Sequence, residues 1–408
     1  MLSGVAGAER PPWHGNNEHE TKLSRLDTYL SSNDLESVWF ADSDSYVWLT
    51  GHSNIIDRSS STGVAAVGYD GDTLTIVVDN DERALVREEL FDGPPHGVGR
   101  GDGNTENHPH GGPPGHTRGF PEVDIVTFGW HASSVADTVA EVATTPAAAD
   151  FDVSGFDRVN ATALRQPLTE SERETYRSIG EDTARALESV CKTLRPDDTE
   201  REAARAVSST MDAFGLEHPV VLVAGEERAQ KYRHPVPTDA ELNGYVSISV
   251  VGRRAGLYAS CTRTVAFDPP EWFERRTESV LRVDATALGA TRRAIQNGGT
   301  AGDVFEAIQT AYAHAGVPDE WKLHHQGGGA GYASREWVAT PDDSTPVTGP
   351  MAYAWNPTLQ GTKSEGTVLI SASGYEPVTL TGEWPTRSVE SYVHDEVVVR
   401  PGVLYVDT

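Results

Sequence analysis

Cysteine is scarce in this chain, which has only Cys191 and Cys261 among its 408 residues. The two do not form a Cys-x-x-Cys pair, so the sequence offers neither a disulfide framework nor a thiolate metal site. Cys191 falls on the apolar stripe of a predicted helix, where a small buried residue is expected. Cys261 lies in a predicted strand and alternates away from Ser260, which leaves a nucleophilic role as the less favoured alternative.

Long apolar runs are also missing. No run approaches the roughly 20 residues that a membrane-spanning helix needs. The first 20 residues show no cationic start followed by an apolar block, so no secretory signal is predicted. We therefore expect a cytoplasmic protein with no membrane partner.

Lysine is scarce as well, present only at Lys22, Lys192, Lys231, Lys322 and Lys363, while the net charge is -28. The acidic residues are dispersed along the chain, a pattern typical of proteins that work in very high salt. At molar salt the Debye length falls to about 3 Å, so hydrated carboxylates maintain solubility without strong self-repulsion. A surface for a basic partner is the alternative. The same charge argues against nucleic acid as a partner.

The length of the chain exceeds what one hydrophobic core usually serves, so two domains are expected. Residues 1–22 are polar and are predicted to form a disordered tail. Residues 23–160 alternate strand and helix patterns, which predicts an α/β domain in which Tyr46–Gly51 is a strand ended by a turn. Within it, residues 92–119 are rich in Gly, Pro and His, which indicates a flexible insertion. Metal trapping by its four histidines is the alternative.

The second predicted domain covers residues 165–408. Thr169 and Glu172 form a capping box before an amphipathic helix. A hairpin is predicted from Tyr245 to Val265, followed by two further helices and several short strands. The predicted order is two helices and a sheet segment, followed by two more helices and another sheet segment. One α/β half is therefore duplicated. Two such halves can close curved sheets around a central pocket.

Five short motifs follow one another along the chain: Tyr46–Gly51, Pro196–Glu200, Thr262–Thr264, Gly327–Glu336 and Gly374–Thr381. They are similar to the YLTG turn, the PGxTE stretch, the DxTRT strand, the GHGIGLxxHE loop and the GYexLT tail of the creatinase/aminopeptidase superfamily. The resemblance covers nearly the whole chain. It implies an α/β (α+β) protein with a creatinase-like N-terminal domain and a C-terminal pita-bread domain.

A subgroup labelled as proline peptidases is more similar still. The motifs that carry this likeness are Tyr232–Thr238, His324–Gly328, Ala354–Pro357 and Gly361–Glu365.

The resemblance also shows which residues of this sequence match the metal-ligand positions of the superfamily. Metallopeptidases of the superfamily hold two divalent ions with two Asp, one His and two Glu, and a shared hydroxide is the nucleophile. The matching positions are Val250, Ser260, Gly328, Asn356 and Glu365. Only Glu365 is still a ligand. One carboxylate cannot hold two metal ions, so the resemblance implies no metal and no other cofactor.

Polar residues remain where the pocket is expected. His234 matches a pocket histidine of the superfamily, and in creatinase the histidine of this region is the acid/base for hydrolysis of a C–N bond. We expect His324, His325, Glu336 and Glu365 to be further acid/base or orienting groups.

The expected ligand-binding groups are Arg233, Arg263, Asn356 and Lys363, of which the three cations suit a carboxylate or phosphate. Structural roles are the alternatives: an ion pair between Arg263 and Glu365, a cap of the glycine loop by His324, and an anchor by Glu336.

The favoured function is a metal-independent hydrolase, or a related lyase, that acts on an amide, amidine or peptide-like C–N bond of a small molecule. Two alternatives stay open. One is a non-catalytic binding or scaffold protein on the same fold, and the other is a metal-dependent Xaa-Pro aminopeptidase or dipeptidase. A homodimer is expected by resemblance.

Overall fold

The computed structural model describes residues 17–57, 60, 62–92 and 122–407. The chain divides into two compact units, residues 1–165 and 166–408. Among the described residues no helix is long and apolar enough to cross a membrane.

One mixed sheet of six strands forms the centre of the first unit. In spatial order the strands are β4 (Glu122–Phe128), β3 (Thr73–Asp79), β2 (Thr62–Tyr69), β1 (Ser37–Asp42), β5 (Ala147–Ala149) and β6 (Asp157–Arg158). The helices are α1 (Asn17–Ser32), α2 (Ser43–Thr50), α3 (Arg83–Arg87) and α4 (Val135–Val142), and a π turn, Glu88–Asp92, continues α3. Trp39, Val77, Phe128 and Val139 belong to its buried core, which places α4 against the sheet.

Two predictions for this unit are wrong. Tyr46–Gly51 is not a strand, because Tyr46 to Thr50 belong to α2 and Gly51 ends that helix with a φ of 75°. The run is buried on all sides. A short apolar run of this kind shows no alternation of apolar and polar residues, so its sequence does not distinguish a helix from a strand. Residues 17–22 of the predicted tail begin α1, where Lys22 is buried against the carbonyl of Trp48. The rest of that tail, and residues 93–119 of the predicted insertion, lie outside the described residues.

The second unit begins with helices that pack on a sheet of four strands. The helices are α5 (Glu170–Cys191), α6 (Glu200–Ala213) and the short α7 (Glu226–Ala229). The strands are β7 (Glu217–Gly225), β8 (Tyr245–Arg254), β9 (Leu257–Ala266) and, from the end of the chain, β19 (Val403–Tyr405). Capping boxes at Thr169 and Thr199 begin α5 and α6, as the sequence predicts for the first of them.

The later part of this unit repeats the pattern. It contains α8 (Phe273–Asn297), α9 (Ala301–His314) and a 3₁₀ turn, Glu320–Leu323. A five-stranded sheet contains β11 (Trp337–Val338), β10 (Gly327–Ala330), β12 (Met351–Trp355), β15 (Val368–Ser371) and β16 (Gly374–Pro377) in that order. Two hairpins complete it: β13 (Thr358–Leu359) with β14 (Thr362–Lys363), and β17 (Thr386–Glu390) with β18 (Val397–Pro401). The predicted α/β class is confirmed, and helices and sheets recur in the predicted order.

The two faces of the β8–β9 hairpin have different neighbours. Antiparallel pairing sets Val250 opposite Cys261 and Ser249 opposite Thr262. Since side chains alternate along a strand, Val250, Cys261 and Arg263 share the face that packs on α5. Ser249, Ser260 and Thr262 share the other face, where the candidate site lies.

Candidate active site

A carboxylate, Glu365, lies beside the hydroxyl-bearing face of the hairpin. The chain after β14 runs along β9, where the backbone amide of Thr262 donates to the carbonyl of Glu365 at 3.1 Å. Thr262 Oγ1 also donates to Glu365 Oε2 at 2.9 Å and lies 2.7 Å from Ser249 Oγ. These contacts fix a carboxylate that is almost completely buried.

Two cations contact this carboxylate from opposite sides. Lys363 Nζ lies 2.8 Å from Glu365 Oε2 and donates to Ser249 Oγ at 3.0 Å. Arg335 Nη2 donates to Glu365 Oε1 at 3.0 Å, and its Nη1 donates to Ser260 Oγ at 3.0 Å. We call Lys363, Glu365 and Arg335 the cation–carboxylate cluster. Each cation bridges Glu365 to one serine of the hairpin.

The charges in the cluster control the titration of its carboxylate. Burial by itself raises the pKa of Glu365, but Lys363 and Arg335 outweigh burial and hold the pKa at about 2. Glu365 is therefore ionised at every ordinary pH. A carboxylate of this kind is a fixed counter-charge and not a proton carrier, which argues against its predicted role as an acid or base.

The pairing of β8 with β9 corrects one of the five metal-ligand positions that were assigned from the family motifs. Val250 is 1 % exposed and faces α5, so it cannot be the partner of Ser260 across a site. Of the β8 residues that share the face of Ser260, Ser249 is the one that contacts Lys363. Strand alternation in the sequence was enough to find it, because Ser249 and Val250 point to opposite sides of one strand.

Arg335 was missing from the predicted site residues. It stands one residue before Glu336, at the histidine of the GHGIGLxxHE loop, so the quoted motif already marked its place.

The glycine loop leaves no room for a metal-binding histidine. A Cβ on Gly328 would lie 2.1 Å from the carbonyl oxygen of Trp337, which is rigid backbone paired with β10. Gly327 has a φ of 96°, and a Cβ there would lie 2.2 Å from the carbonyl oxygen of Ala354. Any side chain at these positions would force apart the strands β10, β11 and β12.

A pair of divalent ions does not fit these residues. Ser249 and Ser260 are neutral ligands at best, and both are hydrogen-bonded to cationic side chains. Arg335 contacts one carboxylate oxygen of Glu365 and Lys363 contacts the other, so both oxygens already have a cationic partner. Asn356, at the other glutamate position, is buried close to Gly327, and among the described residues its Oδ1 has no hydrogen-bond partner.

Three imidazoles form a second cluster, His234, His324 and His325, which we call the imidazole cluster. His324 Nε2 and His234 Nε2 are 3.1 Å apart, so one donates to the other. The ring of His325 stacks on that of His324 with 4.5 Å between centroids. His324 is buried, while His234 and His325 are exposed to solvent.

The imidazoles are held in the neutral form. Burial and then Lys363 lower the pKa of His324 to about 3, and burial and then Arg335 lower that of His325 to about 4. The pKa of His234 is lowered by the same two effects, burial and Lys363. Neutral imidazoles accept protons and also bind metal ions, so the three could act in proton transfer or hold one ion. Within the described residues, they are the one His, Cys, Asp or Glu group with suitable spacing for metal binding, since their ligand atoms all lie within 4.8 Å of one another.

Arg263 is placed away from the site, and its predicted role in substrate binding is wrong. Its side chain has 0 % exposure and donates to Glu188 Oε1 of α5 at 2.6 and 2.9 Å and to the carbonyl of Thr379 at 2.6 Å. The predicted alternative, an ion pair with Glu365, has the wrong partner. Arg263 lies on the α5 face of β9, whereas Glu365 contacts the opposite face through Thr262.

Two further predicted site residues have structural partners. Glu336 Oε1 accepts hydrogen bonds from the amides of Tyr332 and Ala333, at 2.9 and 3.3 Å, and so fixes the turn of the glycine loop. This geometry supports the predicted alternative of an anchor over a catalytic role. Arg233 forms an ion pair with Glu320 at 2.9 Å.

A pocket of about 370 Å³, its open mouth included, lies against the cation–carboxylate cluster. Lys363, Ser249 and Arg233 supply polar groups, and the flanking residues of His234 line it as well. Its apolar wall includes Leu222 and Ala224. Only about 30 Å³ of this volume is cavity space, enough for a few water-sized groups.

Comparison with known proteins agrees with this architecture. The sequence profile of metallopeptidase family M24 matches residues 174–375. A search of curated proteins gave no significant match.

Several solved structures share the fold. An Xaa-Pro dipeptidase from Bacillus anthracis is 15 % identical with a TM-score of 0.67, and the match covers 95 % of this chain and 100 % of that one. A prolidase from Pyrococcus furiosus is 20 % identical with a TM-score of 0.66, over 87 % and 99 % of the two chains. The N-terminal domain of the FACT complex subunit SPT16 from Cicer arietinum is 11 % identical with a TM-score of 0.63, over 90 % and 97 %.

The second unit is thus a pita-bread domain in which serines stand at two of the expected metal-ligand positions and two cations contact Glu365. It matches the profile of metallopeptidase family M24 over most of its length, and the predicted creatinase/aminopeptidase superfamily is confirmed. These matches support a hydrolase of that superfamily.

Proposed function

We propose that the protein hydrolyses an amide, amidine or peptide-like C–N bond of a small molecule without the paired metal ions of its family. The observation that supports this most directly is that two side-chain cations contact Glu365, the one metal-ligand residue that the family comparison retains. Lys363 and Arg335 each bridge Glu365 to a serine of the hairpin. The site has localised positive charge and a neighbouring pocket, and Glu365 is the one residue of the family's ligand set that the sequence comparison retains.

The imidazole cluster supplies the proton transfer. The neutral imidazole of His234 takes a proton from the water molecule whose oxygen attacks the substrate carbon. The same proton then passes to the nitrogen of the breaking C–N bond, so the imidazole is regenerated. His324 is hydrogen-bonded to His234 at 3.1 Å, and this contact orients the ring and can accept the proton in relay.

A single-metal hydrolase is the second candidate, because the imidazole cluster could hold one ion. Two observations weigh against it. Nitrogen atoms up to 4.8 Å apart are wider than the roughly 3.3 Å that separates ligands around a tetrahedral zinc ion. Lys363 also lies close enough to lower the pKa of all three imidazoles, and it would repel a dication in the same way.

The test combines elemental analysis with a screen of small amides, amidines and dipeptides, both neutral and anionic. We expect turnover that a chelator does not reduce. In His234→Gln, kcat should fall by about 100-fold or more, the usual contribution of an acid/base group. His131→Gln changes an exposed histidine of the first unit and should keep the wild-type rate.

The possible outcomes separate the candidates. One metal ion per chain whose removal abolishes turnover would support the single-metal enzyme and overturn the proposal. Full turnover by His234→Gln would refute the assigned proton carrier. No turnover of any compound in the screen would favour the non-catalytic alternative.

A further inference from the structure

We propose that Glu200 is a positioning residue that holds His234 in contact with His324. Glu200 acts on residues 225–238, which carry His234 and which we call the histidine segment. The catalytic part of this role rests on the proposed function, because the position of His234 affects turnover only if His234 transfers protons. The contacts that carry the inference do not depend on turnover.

The side chain of Glu200 is completely buried, although the residue lies in the first turn of α6. A buried carboxylate is costly unless charges and hydrogen-bond donors compensate it. The positive end of the helix dipole contributes to this compensation, and so does the guanidinium of Arg228 at 2.9 Å. Glu200 does not line the pocket, so it is not itself a catalytic residue.

Each carboxylate oxygen of Glu200 contacts a different end of the histidine segment. Glu200 Oε1 accepts a hydrogen bond from the backbone amide of Gly225 at 3.1 Å. Glu200 Oε2 accepts two from Thr238, one from its amide at 3.0 Å and one from its hydroxyl at 2.8 Å. Both ends of the segment are therefore held by one carboxylate.

Arg228 extends this restraint to the residues around His234. Its Nε donates to Glu200 Oε1 at 3.0 Å, and its Nη2 donates to the carbonyl of Val236 at 2.9 Å. Its guanidinium also lies over the ring of Tyr232, 4.8 Å from the centroid. Tyr232 and Val236 are two residues before and two residues after His234, so the chain on both sides of His234 is tied to Glu200 through Arg228.

The second imidazole is held by contacts that do not involve Glu200. Gln326 Nε2 donates to the carbonyl of His324, and Gln326 Oε1 accepts from the hydroxyl of Tyr312 at 2.9 Å. Gln326 and Tyr312 are both completely buried. A change at Glu200 should therefore move His234 while His324 stays in place, which breaks their 3.1 Å contact.

One anchor of the histidine segment would survive such a change. Arg233 forms an ion pair with Glu320 at 2.9 Å, and both side chains are mostly buried. The segment then stays attached beside His234 while its ends are released. We therefore expect a variant of Glu200 to fold with His234 displaced.

Glu200→Gln keeps the size of the side chain but replaces one acceptor oxygen by an NH2 group, which cannot accept from Gly225 or Thr238. Thr238→Val is a milder variant that removes only the hydroxyl contact. Glu202→Gln is the matched control on the same helix. Glu202 accepts from the amide and the hydroxyl of Thr199 at 2.9 and 2.8 Å, and among the described residues it has no hydrogen bond to the histidine segment.

The first measurement is the NMR spectrum of protein that carries nitrogen-labelled histidine, which needs no substrate. The ring signals of His234 and His324 are assigned by their loss in His234→Gln and His324→Gln. We expect the Nε2 signals of both rings to shift in Glu200→Gln and, by less, in Thr238→Val, because the hydrogen bond between them is lost. Glu202→Gln should give the wild-type spectrum.

The second measurement is kcat for a compound that the screen finds to be turned over. Glu200→Gln should lower kcat by at least about tenfold, because displacing a catalytic group by about 1 Å can cost on the order of 100-fold. In a His234→Gln background the same change should lower kcat by less than about twofold, since Glu200 acts through His234. A residue with a merely structural role would lower kcat by the same factor in both backgrounds.

Unchanged ring signals in Glu200→Gln, a wild-type kcat in that variant, or equal losses with and without His234 would each overturn the proposal. If Glu200→Gln does not fold, the same comparisons are made with Thr238→Val. If no compound is turned over, the hydrolase is removed and the NMR spectra alone decide whether Glu200 holds His234. Turnover that depends on His234 but not on Glu200 would retain the hydrolase and remove the positioning role.

Discussion

Replacing Glu365 by glutamine removes the negative charge between Lys363 and Arg335 and keeps the shape of the side chain. Both ion pairs, at 2.8 and 3.0 Å, would be lost together. The two cations would then face each other in a site from which water is largely excluded. We expect this single change to destabilise the second unit strongly.

Two estimates give the magnitude. Breaking a buried ion pair by removing one partner costs about 3–5 kcal/mol. The fall in the pKa of Glu365 from 4.5 to about 2 corresponds to about 3 kcal/mol in favour of the ionised form. The two estimates agree, and a loss of about 3 kcal/mol lowers the Tm of a unit of this size by about 6–12 °C.

The assay is urea unfolding followed by tryptophan fluorescence, with a thermal melt alongside. Glu376→Gln is the matched control, because Glu376 forms an ion pair with Arg177 at 2.6 Å in which both side chains are more than 40 % exposed. An exposed pair of this kind contributes less than about 1 kcal/mol. If Glu365→Gln lost no more stability than Glu376→Gln, the cation–carboxylate cluster would not exist as described.

Four further outcomes are expected. The pKa of His324 is about 3 in the folded chain, against 6.5 in the unfolded one, so unfolding takes up a proton between these values and stability falls as the pH drops below 6.5. The slope is at most about 1.4 kcal/mol per pH unit, and His324→Gln should lose that part of it in denaturation curves measured at about pH 6.5 and pH 5. Gly328→His should destabilise by more than about 3 kcal/mol or fail to fold, and should gain no metal binding by elemental analysis, whereas Gly374→His, where a Cβ meets open space, should fold normally. Arg263→Lys should cost about 2–4 kcal/mol in chemical denaturation, since a lysine cannot reproduce the paired contacts with Glu188. The free energy of unfolding should rise with potassium chloride concentration because salt screens a net charge of -28, and a chain equally stable in dilute buffer would contradict the high-salt interpretation.

Local patterns in the sequence predicted most of the second unit. Helical periodicity and the capping box at Thr169 predicted α5, and the two further helices predicted after the hairpin correspond to α8 and α9. These signals are reliable because they depend on neighbours three or four residues apart. The same reasoning failed for Tyr46–Gly51, where burial on every side removes the period on which it relies.

Local sequence patterns did not predict which residues the charged side chains contact. Arg263 was expected to meet Glu365 or a substrate, but it pairs with Glu188, 75 positions earlier in the chain. Arg335 reaches Ser260 across the same separation, and Lys363 reaches Ser249 across 114 positions. Contacts between residues so far apart depend on strand register and on which face of a strand is presented.

The sequence, through its resemblance to the superfamily, predicted that four of the five metal positions carry no Asp, Glu or His, because the ability to bind a metal ion belongs to the residue type. Only the tertiary structure decided which side chains surround Glu365. It brings Lys363 and Arg335 to either side of Glu365 and sets Ser249, not Val250, beside them. The physical reason is that charges compensate one another only between side chains that are close in space. Which side chains are close depends on the pairing of β8 with β9 and on the position of the Glu365 segment beside β9.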